Sequence, residues 1–254
     1  MCLQNPLLSR AQKLLKIEKS AVFISDVHLD HQVINHEFLT FIKEIHKHSN
    51  NIFILGDLFD YWIGDDSSLY KIYEEALLEA SRNLNLYFIH GNRDFLIGKD
   101  FINRNNITLL NEEELVSIGK KNFLIMHGDQ LCSDDLDYQS LRIKLRSKVW
   151  QNNFLSKTLD ERITIANQLR KESVAATSRK NYEIMDISNN TFIEKCKHFS
   201  DLDTVIHGHT HRQKIHTYNI NNQNLLRIDL GSWHQGLIYL FVDDENEPKF
   251  KTQL

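Results

Sequence analysis

Five short segments of the chain each end an apolar run with side chains that commonly bind metal ions. In chain order they read FISDVH (23–28), ILGD (54–57), FIHGNRD (88–94), IMHGD (125–129) and VIHGHTH (205–211). A pair of divalent ions needs this kind of ligand set, because a carboxylate bridges the ions, imidazoles and an amide flank them, and open positions remain for water and substrate. The five segments together therefore predict a two-metal hydrolytic site.

Each segment taken alone has an ordinary structural explanation. Asp57 could cap a helix, Asn92 could occupy a turn, and His127 could be a histidine whose hydrogen bonds are satisfied within the core. His209 and His211 lie two residues apart, a spacing that places both imidazoles on one face of a strand. Five such segments in succession are hard to explain as independent accidents, so the joint pattern favours the metal site.

Apolar periodicity places these segments at the ends of predicted strands. We expect strands at 21–26, 51–55, 86–89, 123–126 and 204–206, helices at 33–46 and 69–80, and a closing hairpin formed by 225–230 and 237–242. Strands that alternate with helices are typical of a layered α/β fold whose ligands bind at the carboxyl ends of the strands. Every candidate metal ligand lies at such an end.

Residues 136 to about 190 depart from this alternation, because their pattern is helical throughout. Residues 140–171 contain eight Lys or Arg and two acidic residues, a surplus of six positive charges in a chain of net charge −4. Apolar and aromatic residues are interleaved with these charges. We interpret the segment as a helical insertion that covers the site as a lid. The alternative is an amphipathic helix pair that covers the core, with its basic side in solvent.

Composition limits the function classes that need to be considered. The chain has 254 residues, enough for one large domain, and its net charge of −4 does not favour nucleic acid as a partner. Cys2, Cys132 and Cys196 match no zinc spacing, and a sparse odd set fits free thiols in a reducing cytoplasm.

The N-terminal residues show no targeting signal. No apolar run approaches the length of a transmembrane helix, and the start of the chain lacks the pattern of a signal peptide. We expect residues 1–20 to be an extension, with a short amphipathic helix through Leu14, Leu15 and Ile17, ahead of one domain that spans 21–254.

The motifs between residues 21 and 242 resemble those of the calcineurin-like metallophosphoesterases. The general signature is Asp-x-His, Gly-Asp, Gly-Asn-Arg-Asp, His-Gly-Asp and Gly-His-Thr-His, in this order. Longer stretches are similar to the members that hydrolyse UDP-2,3-diacylglucosamine in lipid A synthesis: GDLFDYWIGDD (56–66), HGNRDFLIG (90–98), MHGDQLC (126–132), IMD (184–186) and IHGHTHR (206–212). The resemblance implies an α/β fold, a layered β-sandwich flanked by helices with the helical insertion as a lid.

The same resemblance implies a ligand set for two ions. One ion would be held by Asp26, His28, Asp57 and His211, and the other by Asp57, Asn92, His127 and His209. The family implies two Mn²⁺ ions, although the ligand types alone also admit Fe or Zn. Asp94 and Asp129 are expected to orient histidines from outside the ligand set.

The resemblance further implies which residues contact the substrate. Catalysis would involve Asp57, Asn92, Arg93 and His209, and substrate contacts would fall on Asn92, Arg93, Asp135, Ser173, Thr177, Lys180 and His209. Thr177 departs from the family, in which Asn can occupy this position, so this contact is a weaker expectation. The implied reaction is attack of a metal-activated water on the α-phosphorus, giving UMP and 2,3-diacylglucosamine 1-phosphate.

The implied partners are the lipid-linked UDP-sugar and a membrane surface. An acylated substrate needs an apolar chamber and its phosphates need cations, and the insertion contains both kinds of residue. Its basic face would rest on the cytoplasmic side of the inner membrane, as in a peripheral protein. No nucleic acid and no obligate protein partner are expected.

Two other functions compete with this expectation. A metallophosphoesterase for a soluble substrate, such as a cyclic nucleotide or a phosphoprotein, would use the same metal site without an apolar chamber. A binding scaffold that has lost its metals would keep the fold, but no expected ligand position is substituted in this chain.

Overall fold

The computed structural model shows two six-stranded sheets that pack against each other, with helices on their outer faces. It describes residues 14–177, 180, 184–245 and 247–254. The layered α/β fold predicted from the sequence is confirmed. None of the helices in this described part of the chain is both long and apolar enough to cross a membrane.

The strands and helices have the following bounds. The strands are β1 (Leu15–Ile17), β2 (Ser20–Ile24), β3 (Asn51–Ile54), β4 (Asn85–Phe88), β5 (Ile107–Leu109), β6 (Glu113–Ile118), β7 (Lys121–Met126), β8 (Thr204–His207), β9 (Lys214–Ile220), β10 (Gln223–Asp229), β11 (Tyr239–Asp243) and β12 (Lys249–Lys251). The helices are α1 (His36–Glu44), α2 (Lys71–Ala80), α3 (Lys99–Arg104), α4 (Leu136–Arg146), α5 (Lys148–Leu155), α6 (Leu159–Thr177) and α7 (Asn189–Cys196).

Each sheet has parallel strands at its centre. One sheet has the order β1-β6-β7-β8-β10-β9, in which β7, β8 and β10 are parallel. The other has the order β12-β11-β2-β3-β4-β5, in which β2 to β5 are parallel. The carboxyl ends of parallel strands lie at the same edge of a sheet, so each sheet presents one group of strand ends to the site.

Alternation along the strands divides the core into layers. Phe23 of β2 and Phe53 of β3 point between the sheets, and their rings stack with centroids 4.9 Å apart. Val22 and Ile24 point to the other face, where α1, α2 and α3 pack. On the far side, α7 packs Phe192 against the outer face of the first sheet. Strands buried on both faces explain the nearly continuous apolar runs in the sequence.

The helical insertion predicted after residue 136 is present as α4, α5 and α6. Asp135 caps α4 by accepting a hydrogen bond from the Tyr138 backbone N–H, and Ser147 caps α5 through Trp150. Residues 178–179 and 181–183 of the predicted insertion lie outside the described part of the chain.

Two expectations about the ends of the chain are wrong. Leu15–Ile17 is a strand that pairs in parallel with β6, rather than part of a short helix. Residues 225–230 and 237–242 do not form a hairpin, because β10 pairs with β8 and β9 while β11 crosses to the other sheet and pairs with β2. The division into an extension (1–20) and a domain (21–254) stays a prediction.

Candidate metal centre and substrate cavity

The predicted ligands converge where the strand ends of the two sheets meet. Asp26 and His28 follow β2, Asp57 follows β3, Asn92 follows β4, His127 follows β7, and His209 and His211 follow β8. A direct contact joins the two groups, because the backbone N–H of His209 donates to Asp26 Oδ2 at 2.8 Å. A Cβ at Gly208 would lie 2.2 Å from the same oxygen, so this approach requires a glycine.

One half of the site is built around Asp26. The Nε2 atoms of His28 and His211 face each other at 3.1 Å, and Asp26 Oδ1 lies 3.8 Å and 3.2 Å from them respectively. Ligand atoms of Asp26, His28 and Asp57 all lie within 4.8 Å of one another. Asp26 Oδ1 and His28 Nδ1 are buried, and neither has a hydrogen-bond partner among the described residues. A cation among these atoms would satisfy the carboxylate and explain two facing imidazoles.

The other half is built around Asn92. Its Oδ1 lies 2.9 Å from His127 Nε2 and 2.8 Å from His209 Nδ1. His127 Nδ1 lies 2.8 Å from the Leu55 carbonyl oxygen, to which it donates. That hydrogen bond leaves the Nε2 lone pair directed at Asn92 and at Asp57 Oδ1, which is 3.9 Å away. When His127 is neutral, its Nε2 lone pair faces the Asn92 oxygen, an arrangement that a bound cation would stabilise.

The backbone at the predicted ligands is unusual. Five of the seven have a positive φ: Asp26 (51°), His28 (53°), Asp57 (52°), His209 (70°) and His211 (59°). The left-handed region is uncommon for residues with a side chain, although Asp, Asn and His enter it more readily than most. The turns that follow the strands therefore hold these side chains towards one point at some conformational cost.

Burial keeps two of the imidazoles neutral. Burial, together with the charge of His127, lowers the pKa of His209 to about 4. Burial, together with Arg93, holds the pKa of His28 well below its usual value. Burial would lower the pKa of His127 as well, but the carboxylates of Asp57 and Asp26 raise it above its usual value. Neutral imidazoles and buried carboxylates are suitable ligands for divalent ions.

Comparison with known proteins identifies the fold family. A profile of the calcineurin-like phosphoesterases matches residues 20–213. The chain belongs to this family. The UDP-2,3-diacylglucosamine hydrolase of Proteus mirabilis is 41% identical, over 89% of this chain and 96% of its own length. The enzyme of the same name from Chromohalobacter salexigens is 35% identical, over 91% and 96%. A solved archaeal phosphodiesterase has a TM-score of 0.45 at 16% identity, covering 92% of this chain and 99% of its own.

Among the described residues, Asp94 and Asp129 of this phosphoesterase do not hydrogen-bond the histidines that they were expected to orient; their hydrogen bonds come from other groups. Asp94 accepts from the backbone N–H groups of Leu58 and Gly91 at 2.8 Å and 2.9 Å, so it fixes the loops after β3 and β4. Asp129 accepts from the Tyr138 hydroxyl at 2.9 Å. The expectation that these two carboxylates orient histidines is wrong, because the hydrogen bonds described for them come from backbone amides and from neighbouring hydroxyl and guanidinium groups.

Asp129 also connects the insertion to the phosphoesterase core. Its Oδ2 accepts from Arg142 Nε at 2.7 Å, and Arg142 Nη2 donates to Glu112 at 3.0 Å. Burial would raise the pKa of Asp129, but the nearby charges of His127, Arg146 and Arg142 hold it well below its usual range. A buried anion therefore stabilises α4 over the metal centre.

Among the predicted substrate contacts of this phosphoesterase, Asp135, Ser173 and Lys180 lie on the insertion side of the site. Lys180 Nζ donates to Asp135 Oδ1 at 2.5 Å, and Ser173 lines the cavity beside Arg93. The side chain of Thr177 lies outside the described part of the structure. Asp135 is already paired and caps α4, so a substrate hydroxyl would have to share its oxygens.

An open cavity of about 170 Å³ extends from the metal centre under the insertion. Its mouth contains Asn92 and Arg93, and its walls come from α4, α5 and α6 and the loop after β3. Its apolar lining comprises Phe95, Leu96, Leu141, Leu145, Trp150, Phe154, Ala166, Leu169 and Val174. Leu155, which the apolar pattern of the insertion also includes, does not belong to this lining.

Four of the eight basic residues in 140–171 form ion pairs within the protein. Arg142, Arg146, Arg162 and Arg170 form ion pairs with acidic residues outside residues 140–171. Arg162 forms a bidentate pair with Asp66, and its Nη1 also donates to the Ile63 carbonyl oxygen at 3.0 Å. Half of the eight cations thus attach the insertion to the core. The charge count of the segment alone cannot show this, because the acidic partners lie elsewhere in the chain.

Sequence analysis missed three side chains near the centre. His234 follows β10 and stacks on His28, with ring centroids 5.4 Å apart. Its ligand atom lies within 4.8 Å of those of His28 and His211. A strand followed by Gly231 and then a histidine is a signal that resembles the other five segments. Asp60 and Arg170, by contrast, have no local signal, because they meet only across the cavity.

Proposed function

We propose that this protein hydrolyses the diphosphate bond of UDP-2,3-diacylglucosamine, giving UMP and 2,3-diacylglucosamine 1-phosphate (lipid X) in lipid A biosynthesis. The observation that carries this proposal is the cavity, which is apolar beneath the insertion and opens at Asn92 and Arg93 beside the metal centre. The names of the two relatives, which match over almost their whole length, support the same substrate.

Two Mn²⁺ ions are the proposed cofactors. Asp26, His28, Asp57 and His211 would hold one ion, and Asp57, Asn92, His127 and His209 would hold the other. A divalent pair held by these residues would lower the pKa of a water and neutralise phosphate charge. The facing imidazoles and the unpartnered Asp26 oxygen support this ligand set.

Arg93 is the proposed cation for the reacting phosphate. Its backbone N–H donates to Asp57 Oδ1 at 2.8 Å, and its Nε lies 3.7 Å from Asp57 Oδ2. A guanidinium held there can donate two hydrogen bonds to phosphate oxygens and stabilise the negative charge that develops during attack at phosphorus. Asn92, Asp135, Ser173, Thr177, Lys180 and His209 are the other proposed substrate contacts. The leaving group is itself a phosphate, which departs as an anion and needs no general acid.

We also propose that the insertion contacts the cytoplasmic side of the inner membrane. Three apolar side chains of α4 and α5 stand in solvent: Leu136 is 73% exposed, Ile143 70% and Val149 82%. Lys144 and Lys148 are their neighbours in the sequence and are also exposed. Exposed apolar residues beside lysines suit a peripheral contact with an anionic bilayer.

The direct test measures release of UMP from UDP-2,3-diacylglucosamine by the purified protein, with Mn²⁺ and after chelation. We expect Mn²⁺-dependent release, and a lower rate with the deacylated UDP-sugar. Equal rates on the acylated and deacylated sugars would remove the lipid from the proposal and leave a phosphoesterase for soluble substrates. Absence of both bound metal and hydrolysis would support the binding scaffold.

A further inference from the structure

One buried carboxylate joins the two sides of the cavity mouth. Asp60, in the loop after β3, accepts from Arg93 Nη1 at 2.8 Å through Oδ1, and from Arg170 Nη1 through Oδ2. The Asp60 side chain is 4% exposed, whereas those of Arg93 and Arg170 are 30% and 45% exposed. All three residues line the cavity. Two guanidinium groups from different elements are thus held on one carboxylate.

The charges around Asp60 leave a cationic opening. One carboxylate and two guanidinium groups carry a net charge of +1, and the buried member is the anion. The exposed edges of Arg93 and Arg170 therefore face the cavity with donors that a single carboxylate does not use. A ligand with two adjacent anionic groups fits this pair of cations, because each guanidinium can bind one group.

Asp60 and Asp57 contact different nitrogen atoms of the Arg93 guanidinium. Asp57 Oδ2 lies 3.7 Å from Arg93 Nε, so a guanidinium released by Asp60 would move towards that carboxylate. Asp60 holds the opposite end of the guanidinium, at Nη1. The position of Arg93 is thus set by two carboxylates, only one of which belongs to the predicted metal site.

We propose that Asp60 is a positioning residue that holds Arg93 and Arg170 side by side, and that Arg170 binds the second phosphate of a diphosphate whose first phosphate lies at Arg93. This deepens the proposed function and rests on it for the choice of a nucleoside diphosphate ester as ligand. It adds Arg170 to the substrate contacts and assigns the Arg170–Asp60 pair a role beyond attaching α6 to the core.

The test uses competitive inhibition, so that it does not depend on hydrolysis of the lipid. The Mn²⁺-loaded protein is assayed with bis(p-nitrophenyl) phosphate, a diester with one phosphate, in the presence of UDP or UMP at a fixed excess of Mn²⁺. We expect the native protein to bind UDP more tightly than UMP. Arg170→Gln should reduce that preference about tenfold, the usual effect of losing a charge-assisted hydrogen bond.

A neighbouring lysine provides the matched control. Lys171→Gln removes one positive charge from the next residue of the same helix, on a side chain that is exposed. It should leave the preference for UDP unchanged. Equal loss in the two variants would show a general charge effect, and no loss in Arg170→Gln would overturn the proposed second phosphate contact. If the native protein did not release UMP from the lipid, the proposed function would be contradicted, whereas the second phosphate contact would still be judged by the UDP preference.

Asp60 variants test the positioning role. Asp60→Asn keeps the shape but loses the charge that holds both guanidinium groups, so we expect kcat on the lipid substrate to fall about tenfold with a smaller change in KM, because Arg93 is displaced. Asp60→Glu should restore most of the loss. A loss of folding stability with unchanged kcat and unchanged UDP preference would show that Asp60 is a structural tie only.

Discussion

Most of the seven predicted ligands share a backbone property that their side chains alone do not reveal. Five of them adopt the left-handed conformation, which costs about 1 kcal/mol for each residue with a side chain. Hydrogen bonds between the turns that follow β2 and β3 stabilise it: the backbone N–H groups of Asp26 and His28 donate to the carbonyls of Gly56 and Asp57, both at 3.1 Å. These hydrogen bonds therefore fix the turns that carry Asp26, His28 and Asp57 to each other.

Asp57 is the only side chain in both proposed ligand sets, so its loss should affect both ions. We expect Asp57→Ala to lower turnover by about two orders of magnitude or more, because the metal-generated nucleophile is lost. Bound metal, measured by elemental analysis, should fall in parallel. Asp100→Ala, which removes an exposed carboxylate from α3, is the control. A variant of Asp57 that kept half of the native turnover would rule out the dimetal assignment.

Arg93→Lys should be poorly tolerated although it keeps the charge. The guanidinium donates to Asp60 from Nη1 while its Nε faces Asp57, and an ammonium group cannot span both carboxylates or donate to a phosphate in a planar fork. We expect a fall in kcat/KM of about tenfold or more in an assay of UMP release. Near-normal kinetics of the Lys variant would show that Arg93 makes no bidentate contact.

Residue types at strand ends were enough to single out the seven predicted ligands, because each follows a buried strand and carries its own chemical signal, and the fold brings them together. Asp60 and Arg170 could not be predicted in this way. They lie 110 residues apart, and a carboxylate or guanidinium on a loop or helix is usually solvated. Asp94 and Asp129 were noticed for their position, but their hydrogen-bond partners depend on backbone amides and on Tyr138, which no local pattern specifies.

The helices α4, α5 and α6 both attach the insertion to the core and enclose the cavity. Arg142 and Arg162 bind carboxylates of the core, while the apolar sides of the same helices line the cavity. The sequence indicated helices, apolar residues and a basic surplus. It could not indicate which cations are paired, because the acidic partners belong to other parts of the chain.

Polar substitution of the cavity lining should separate the two kinds of substrate. Replacing Leu145 and Trp150 by Ser and Gln should lower kcat/KM for the acylated substrate, since each buried CH₂ contributes about 0.8 kcal/mol. Hydrolysis of bis(p-nitrophenyl) phosphate should change much less, because that diester needs no acyl chamber. Leu155→Ser, on the same helix as Trp150 but outside the lining, is the matched control. Equal losses of kcat/KM on both substrates would show that these side chains support the fold and do not bind the acyl chains.

At the scale of the molecule, the chain ends contribute to the sheets more than the sequence suggested. Ile17 of β1 is 6% exposed and packs between the sheets, although it precedes the region matched by the family profile. Short strands such as β1 and β12 carry too few residues for a clear alternation. The prediction of a hairpin near the C-terminus was wrong because the chain changes sheets between the two strands. Gly231 (φ 78°) and a 3₁₀ turn at Trp233–Gln235 direct it to the second sheet.

Ile17 provides a measure of the contribution of β1. We expect Ile17→Ala to lower the free energy of unfolding by about 2–4 kcal/mol, the range for removing a buried isoleucine side chain. Lys16→Ala, at the neighbouring exposed position, should change it by less than about 0.5 kcal/mol. Urea denaturation followed by circular dichroism measures both. An unchanged midpoint for the Ile17 variant would mean that β1 frays without affecting the core.

The pairing of β2 with β11 has a consequence for synthesis of the protein. Ala21 pairs with Val242, so a strand near the beginning of the chain acquires its second neighbour only when almost the whole chain has left the ribosome. Until then β2, β3, β4 and β5 can associate, but the free edge of β2 remains open to pairing with other nascent chains. The time between translation of these two strands sets how long the growing chain needs protection by chaperones.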